Sequence, residues 1–150
     1  LTVSHCTFQD TISGLRIKSD RRRGGLVEDI SYRDITMRNV KIPINITAYY
    51  PKIPKEDSAS PLTARTPVYR DICIANLTAT GPAGAGFIVG LPESPVTDVA
   101  LENVQISAAT GLTVRNAQGI RFIHSKIQAA KGPPVILERN AEVEGLSPDR

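Results

Sequence analysis

Two cationic side chains separated by a single residue, Arg16 and Lys18, carry the strongest chemical signal in the sequence. They lie in the segment GLRIKS at residues 14–19, where apolar and cationic residues alternate and so predict a β-strand. Alternation places both cations on one face of the strand, about 7 Å apart. An arginine fork can grip a carboxylate through two hydrogen bonds, so the pair suits a ligand with repeating anionic groups. The alternative interpretation is a solvated strand face, where Lys and Arg are common.

An arginine run follows this strand, in the segment DRRRGG at residues 20–25. Its composition predicts a turn, and three arginines beside Arg16 and Lys18 would form a rim that attracts anions. Such runs are more often solvated surface, so both interpretations stay open.

Eighteen basic and fifteen acidic residues give a formal charge of +3, and the chain has four Tyr, three Phe and no Trp. The few aromatic residues match a base-stacking nucleic-acid surface poorly, and the mildly basic charge suits an acidic polymer as well as it suits a nucleic acid.

The elements that must position these cations come from an internal repeat. One frame occurs five times: apolar, any, apolar, any, polar, small or apolar, any, apolar. The starts are separated by 29, 42, 27 and 21 residues, and a second short apolar segment introduced by Gly or Pro follows each copy. Such spacing predicts an all-β parallel β-solenoid of about five turns, because each turn can bury its apolar face only against its neighbours.

Three columns of equivalent residues are expected along this solenoid. The first inward column comprises Leu1, Ile30, Ile72, Val99 and Ile120, and the second comprises Leu15, Ile44, Phe87, Leu112 and Val135. The fifth position of the frame is occupied by His5, Asp34, Asn76, Asn103 and His124. Asn, Asp and His tolerate a left-handed backbone best among non-glycine residues. We therefore interpret this third column, including both histidines, as corner residues and not as catalytic bases.

The longest spacing arises from residues 48–67, which contain four Pro and mixed charge and are therefore expected to form an inserted loop. The loop leaves the turn after Arg16 and Lys18 and should lie beside them. Its adjacent carboxylates at Glu56 and Asp57 are expected to be solvated. The cysteines, one inward and one outward in the repeat, are not expected to form a disulfide.

Several segments together resemble the C-terminal half of glycoside hydrolase family 28, the polygalacturonases and related pectinases. These segments are GLRIKSDRRRGG (14–25), VEDISYRDITMRNV (27–40), PINITAYY (43–50), GFIVGLPESP (86–95) and GLTVRN (111–116). The resemblance covers nearly the whole chain. It implies a right-handed single-stranded parallel β-helix, with residues 1–150 forming the C-terminal part of one pectin-lyase-like domain whose N-terminal turns are missing. It also implies inverting hydrolysis of galacturonan-type pectin.

Substrate-binding residues can be carried over from the resemblance. Arg16 and Lys18 match the family's R-I-K segment, which binds substrate carboxylates. Tyr50 matches the tyrosine of the pattern I-x-I-x-x-x-Y that lines the cleft, with Tyr49 as the near alternative. A departure from close relatives is Arg22, which stands where they commonly have Gly and puts the turn geometry in doubt.

The family's catalytic residues have no counterpart here. They lie in an N-x-D segment, an Asp-Asp pair and a G-H-G segment, all upstream of R-I-K, and none of these occurs in this chain. An inverting glycosidase needs one carboxylic acid and one carboxylate on opposite sides of the scissile bond. The resemblance therefore implies a glycosidase whose catalytic Asp residues precede this chain, with no catalytic residue among residues 1–150 and an inactive fragment.

The resemblance further implies an acidic polysaccharide partner, pectin or polygalacturonate, with no cofactor and no metal. Nucleic acid and membrane partners are not expected, and the intact protein should be a monomer that is secreted or periplasmic. Two alternatives are a non-catalytic β-helical polysaccharide-binding protein and a pectate lyase, which would require calcium. The sequence shows no carboxylate cluster in strand register suited to calcium. Homogalacturonan, rhamnogalacturonan and xylogalacturonan are not distinguished, nor are endo and exo action.

Overall fold

A computed structural model describes residues 1–81 and 83–146. Pro82 and residues 147–150, which belong to the domain predicted over residues 1–150, lie outside the described residues. The described residues form β-strands and no helix, and hence no helix that could cross a membrane. The strands are β1 (Thr2–Gln9), β2 (Ser13–Lys18), β3 (Leu26–Val27), β4 (Ile30–Arg38), β5 (Ile42–Thr47), β6 (Val68–Thr80), β7 (Gly84–Val89), β8 (Val96–Ala108), β9 (Thr110–Arg115), β10 (Ala117–Ile123), β11 (Lys126–Ala129), β12 (Val135–Leu137) and β13 (Ala141–Glu144).

The strands form two sheets in which every pairing is parallel. The first sheet has the order β1-β4-β6-β8-β10-β13, with β3 paired to β6 and β11 paired to β8. The second has the order β12-β9-β7-β5-β2. Because the chain alternates between the sheets and each turn adds one strand to the second sheet, it winds as a parallel β-helix. The all-β solenoid of about five turns is confirmed.

The first inward column is present with one exception. Ile30 pairs with Ile72, Ile72 with Val99, and Val99 with Ile120. Leu1 was expected to be buried in the same column, but its side chain is 77% exposed. The physical reason is its place just before β1, the edge strand of the first sheet, where a neighbouring turn covers it on one side alone.

The second column differs from the expectation at the third turn. Gly86, and not Phe87, lies between Ile44 and Leu112 in the inward column. A side chain at Gly86 would clash with the Ile44 carbonyl oxygen, and its φ of 120° favours glycine. Phe87 therefore pairs with Asn45 and Thr113 and points outward, half-buried. The prediction that Phe87 is a core residue is wrong.

The corner column is confirmed at all five positions. His5, Asp34, Asn76, Asn103 and His124 each have positive φ, between 48° and 55°. The Asn76 side-chain amide donates to the Asp34 carboxylate at 3.0 Å, and the Asn103 amide donates to Asn76 Oδ1 at 3.1 Å. Asp34, Asn76 and Asn103 thus form a hydrogen-bonded ladder between three turns, a structural role that accounts for these residue types.

Both cysteines are free, as expected, and both are partly buried, although Cys73 was expected at an outward position. Cys6 packs against the hydrophobic core from β1. Cys73 lies on β6, where its backbone pairs with Ser31 and Ala100.

Candidate functional site

The cationic pair lies on β2, the edge strand of the second sheet. Leu15 and Ile17 are 1% and 8% exposed and anchor the strand in the core. Arg16 and Lys18 alternate with them and are exposed on the outer face. Among the residues that the structure describes, neither cation forms a salt bridge. Both charges are thus available to an external anion.

The structure brings Tyr50 to this pair. Lys18 Nζ lies 3.8 Å from the centre of the Tyr50 ring, and the guanidinium carbon of Arg16 lies 5.8 Å from it. The guanidinium carbon of Arg23, from the turn after β2, lies 5.3 Å from the same ring. Tyr50 reaches this position because Lys18 pairs with Thr47, the last residue of β5, and the chain leaves the sheet there. The three predicted site residues therefore form one cluster, in which the aromatic ring is partly buried.

The turn after β2 is organised by Asp20. Its Oδ1 accepts hydrogen bonds from the backbone N–H groups of Arg22 at 2.7 Å and Arg23 at 3.1 Å. The bond from Arg22 lowers the pKa of Asp20, assisted by that from Arg23 and opposed by desolvation. Positive φ values occur at Gly24 and Gly25 and not at Arg22. The turn geometry therefore accommodates Arg22 without requiring the backbone freedom of glycine at this position.

Arg21 has a different environment from the other two arginines of the run. Its guanidinium makes a two-point contact with Glu93, from Nε to Oε2 at 2.7 Å and from Nη2 to Oε1 at 2.8 Å. Arg21 Nη2 also lies 2.7 Å from Asp57 Oδ2, and the Tyr49 hydroxyl donates to this same oxygen. We call Arg21, Asp57, Glu93 and Tyr49 the Arg21 latch. The expectation that Asp57 is solvated is wrong, since it is partly buried within the latch.

Hydrogen bonds within the Arg21 latch stabilise the charged forms of Arg21, Asp57 and Glu93. The bond to Glu93 raises the pKa of Arg21, and Arg21 in turn lowers the pKa of Glu93. Burial acts to raise the pKa of Asp57, but hydrogen bonds from Arg21 and Tyr49 outweigh it and lower that pKa. Burial and the contact with Asp57 raise the pKa of Tyr49. At neutral pH the latch thus contains one cation, two carboxylates and a neutral phenol.

The insertion, residues 48–67, runs along the carboxyl ends of the second sheet. Its Pro54 carbonyl accepts a hydrogen bond from Arg115 Nη1 at 2.7 Å, at the end of β9. Its Ser60 N–H donates to Glu93 Oε1 at 3.3 Å. A cavity of about 190 Å³ lies between the insertion and the last turns. The cavity is lined by Tyr49, Lys55, Glu56, Asp57, Arg115, Asn116, Glu138 and Arg139.

The sequence predicted Arg16, Lys18 and Tyr50 as site residues, and the structure brings these three together, but the sequence did not indicate the Arg21 latch. No local signal was available, because Glu93 is 72 residues from Arg21 and follows a different strand. Fold and site together define the chain as a parallel β-helix with a cationic, aromatic surface at the edge of its second sheet.

Comparison with known proteins supplies the family. Residues 1–133 match the family described as Glycosyl hydrolases family 28, so the chain belongs to this family. An endo-polygalacturonase of Pectobacterium carotovorum is 29% identical over 116 residues, covering 77% of this chain and 27% of the relative. An exopolygalacturonase of Rhizopus delemar is 29% identical over 126 residues, covering 74% of this chain and 31% of the relative.

A polygalacturonase of Gossypium barbadense is 43% identical over a shorter stretch of 51 residues, which covers 33% of this chain and 12% of the relative. No solved structure matches the chain. The chain spans less than a third of the length of each of these three relatives.

Proposed function

We propose that this chain is the substrate-binding C-terminal portion of an inverting hydrolase that cleaves galacturonic-acid-containing pectin. The observation that carries the proposal is a pair of cations in a family 28 β-helix, Arg16 and Lys18, which form no salt bridge with any described residue and lie 5.8 and 3.8 Å from the centre of the Tyr50 ring. The polygalacturonase names of the relatives support this substrate class. In this proposal residues 1–150 belong to one β-helix domain and residues 48–67 are its inserted loop.

Binding follows from the chemistry of the three side chains. Each galacturonate unit carries one carboxylate, which the Arg16 guanidinium grips through two charge-assisted hydrogen bonds. The ammonium of Lys18 supplies a second positive charge on the same strand face. The Tyr50 ring offers an apolar surface for the C–H face of the sugar, and its hydroxyl remains able to hydrogen-bond. Together they orient the sugar on the leaving-group side.

The carboxylates beside this cluster do not suit proton transfer. Asp57 and Glu93 are both engaged by Arg21, and their pKa values are lowered, so neither is protonated near neutral pH. An inverting mechanism needs a protonated acid and a base roughly 6.5–9.5 Å apart. The proposal therefore assigns both roles to Asp residues upstream, on turns that stack against the exposed edge at β2.

The proposal includes a cellular setting. Because pectin is an extracellular polymer, the protein acts as a secreted or periplasmic enzyme. It works as a monomer, without a cofactor or metal, and neither nucleic acid nor membrane takes part.

Kinetics on the complete gene product test the proposal. We expect polygalacturonate to yield new reducing ends without unsaturated products, and the first anomer released to be inverted when followed by NMR. Arg16→Ala and Lys18→Ala should each lower kcat/KM at least tenfold, since a hydrogen bond to a charged group contributes about 1.5–3 kcal/mol.

The matched control is Arg38→Ala, at an exposed arginine on the first sheet, which should retain wild-type kinetics. Wild-type kinetics in both site variants would overturn the proposed binding role. Calcium-dependent formation of unsaturated products would identify a lyase, and binding without any cleavage would identify a non-catalytic polysaccharide-binding protein.

A further inference from the structure

We propose that Arg21 is a positioning residue that locks the insertion in place and thereby fixes the Tyr50 ring beside Arg16 and Lys18. The expected effect of Arg21 on substrate binding rests on the proposed function. The expected effect of Arg21 on the insertion rests on the geometry of the Arg21 latch alone. Arg21 itself does not contact the substrate in this account.

Arg21 joins three segments that are distant in sequence. It belongs to the turn after β2, its partner Asp57 belongs to the insertion, and its partner Glu93 belongs to the loop after β7. The Glu93 side chain is only 5% exposed, so the two-point contact is largely shielded from water. Arg21 Nη2 also donates to the Ser58 carbonyl at 3.2 Å, which adds a backbone contact to the insertion.

The fork of the arginine side chain is what this arrangement uses. Nε and Nη2 engage the two oxygens of Glu93, while Nη2 also reaches Asp57. A lysine ammonium is a compact point charge and cannot reproduce this planar, multi-point contact. Replacement by lysine should therefore preserve the charge but only part of the positioning.

Tyr49 connects the latch to the binding ring. Its backbone N–H donates to Thr47 Oγ1 at 3.0 Å, and its hydroxyl donates to Asp57. Tyr49 is thus held at both ends, and the next residue along the chain is Tyr50. Loss of Arg21 would leave Tyr49 bonded to Asp57, but Asp57 would no longer be tied to the turn after β2, so the hydroxyl end of this anchor would lose its fixed point.

Arg21 also has an electrostatic effect on the ligand. Without its charge, the carboxylates of Asp57 and Glu93 would lie unneutralised near a site for anionic sugars. Like charges would then weaken binding of uronate through space. Displacement of Tyr50 and this repulsion both act on substrate affinity and not on the upstream proton transfers.

The first test is kinetic and uses the complete gene product. Arg21→Ala should raise KM for polygalacturonate about tenfold or more, on the scale of a lost charge-assisted contact, while kcat changes less than about threefold. Arg21→Lys should recover part of the affinity. Arg38→Ala should leave both constants unchanged. A fall in kcat with unchanged KM would overturn the positioning role.

The second test is independent of activity. Trypsin cleavage after Lys52 and Lys55, two exposed lysines of the insertion, is followed by mass spectrometry without substrate. Cleavage there should be at least several-fold faster in Arg21→Ala than in the wild type or Arg38→Ala, with circular dichroism showing that the β-fold is retained. Unchanged cleavage would overturn the latch.

Glu93→Gln provides a second variant with the same size, in case Arg21→Ala does not fold. It should accelerate cleavage at the same lysines, and unchanged cleavage in Glu93→Gln would also overturn the latch. If the wild-type protein neither binds nor cleaves polygalacturonate, the proposed function fails, whereas the cleavage comparison still decides whether Arg21 locks the insertion.

Discussion

Replacing Glu93 by alanine should destabilise the folded protein by about 3 kcal/mol, because it removes the ion pair with Arg21. The two residues are 72 positions apart in sequence, so this ion pair joins distant segments of the chain. The Glu93 side chain is 5% exposed and accepts two hydrogen bonds from Arg21 and one from the Ser60 backbone. Breaking a buried ion pair by removing one partner costs about 3–5 kcal/mol. The lower end applies because Arg21 is 31% exposed and keeps Asp57 as a partner.

The assay is urea unfolding of the complete gene product, with the change in the free energy of unfolding compared between variants. Glu142→Ala is the control, because Glu142 is exposed on β13 and forms no salt bridge within the described residues. It should change stability by less than about 0.5 kcal/mol. A Glu93→Ala effect as small as that of the control would refute the reasoning that the Arg21 latch joins these segments.

Further predictions concern pH, the aromatic ring and the third turn. Because the pKa values of Asp57 and Glu93 are lowered in the fold, the latch stabilises fully above their unfolded values of about 3.9 and 4.3. This contribution is lost as pH falls through the lowered values, so the difference in urea midpoint between wild type and Glu93→Gln should be largest at pH 7 and should shrink as the pH falls below about 4; a constant difference would contradict this. Tyr50→Phe should keep KM within about threefold and Tyr50→Ala should raise it about tenfold, on the scale of aromatic contacts, and equal values would exclude a role for the ring. Gly86→Ala should lower the free energy of unfolding by more than about 3 kcal/mol because of the clash with Ile44. Gly132→Ala, also at positive φ but in open space, should lower it by about 1 kcal/mol. Equal losses of stability would show that the clash is unimportant.

The repeat made much of the fold predictable. A corner between two short strands demands a left-handed backbone, and the Asp, Asn and His residues that tolerate it mark every turn. Apolar columns then follow from the need of each turn to bury its face against the next. Phe87 was wrongly assigned to the core because Gly86 was taken to lie before the strand segment. In the structure Gly86 is itself the inward residue that pairs with Ile44, so Phe87 points outward. Apolar character alone did not distinguish an outward ring from a core side chain.

The site was predictable only where it is local. Arg16 and Lys18 are neighbours on one strand, so alternation alone placed both on the same face. Tyr50 could be assigned through the family resemblance, and its contact with Lys18 depends on the pairing of β2 with β5. The Arg21 latch depends on how the proline-containing insertion folds back toward the turn after β2 and the loop after β7, which carries Glu93. Neither periodicity nor composition specifies such a path.

Calorimetric titration of the complete gene product with digalacturonate and with its dimethyl ester tests the central claim most directly. If Arg16 and Lys18 bind sugar carboxylates, esterification should weaken binding to the wild type at least tenfold, on the scale of one lost charge-assisted contact. In the Arg16→Ala/Lys18→Ala double variant, both ligands should bind equally weakly. Equal affinity of the wild type for the acid and the ester would contradict the account.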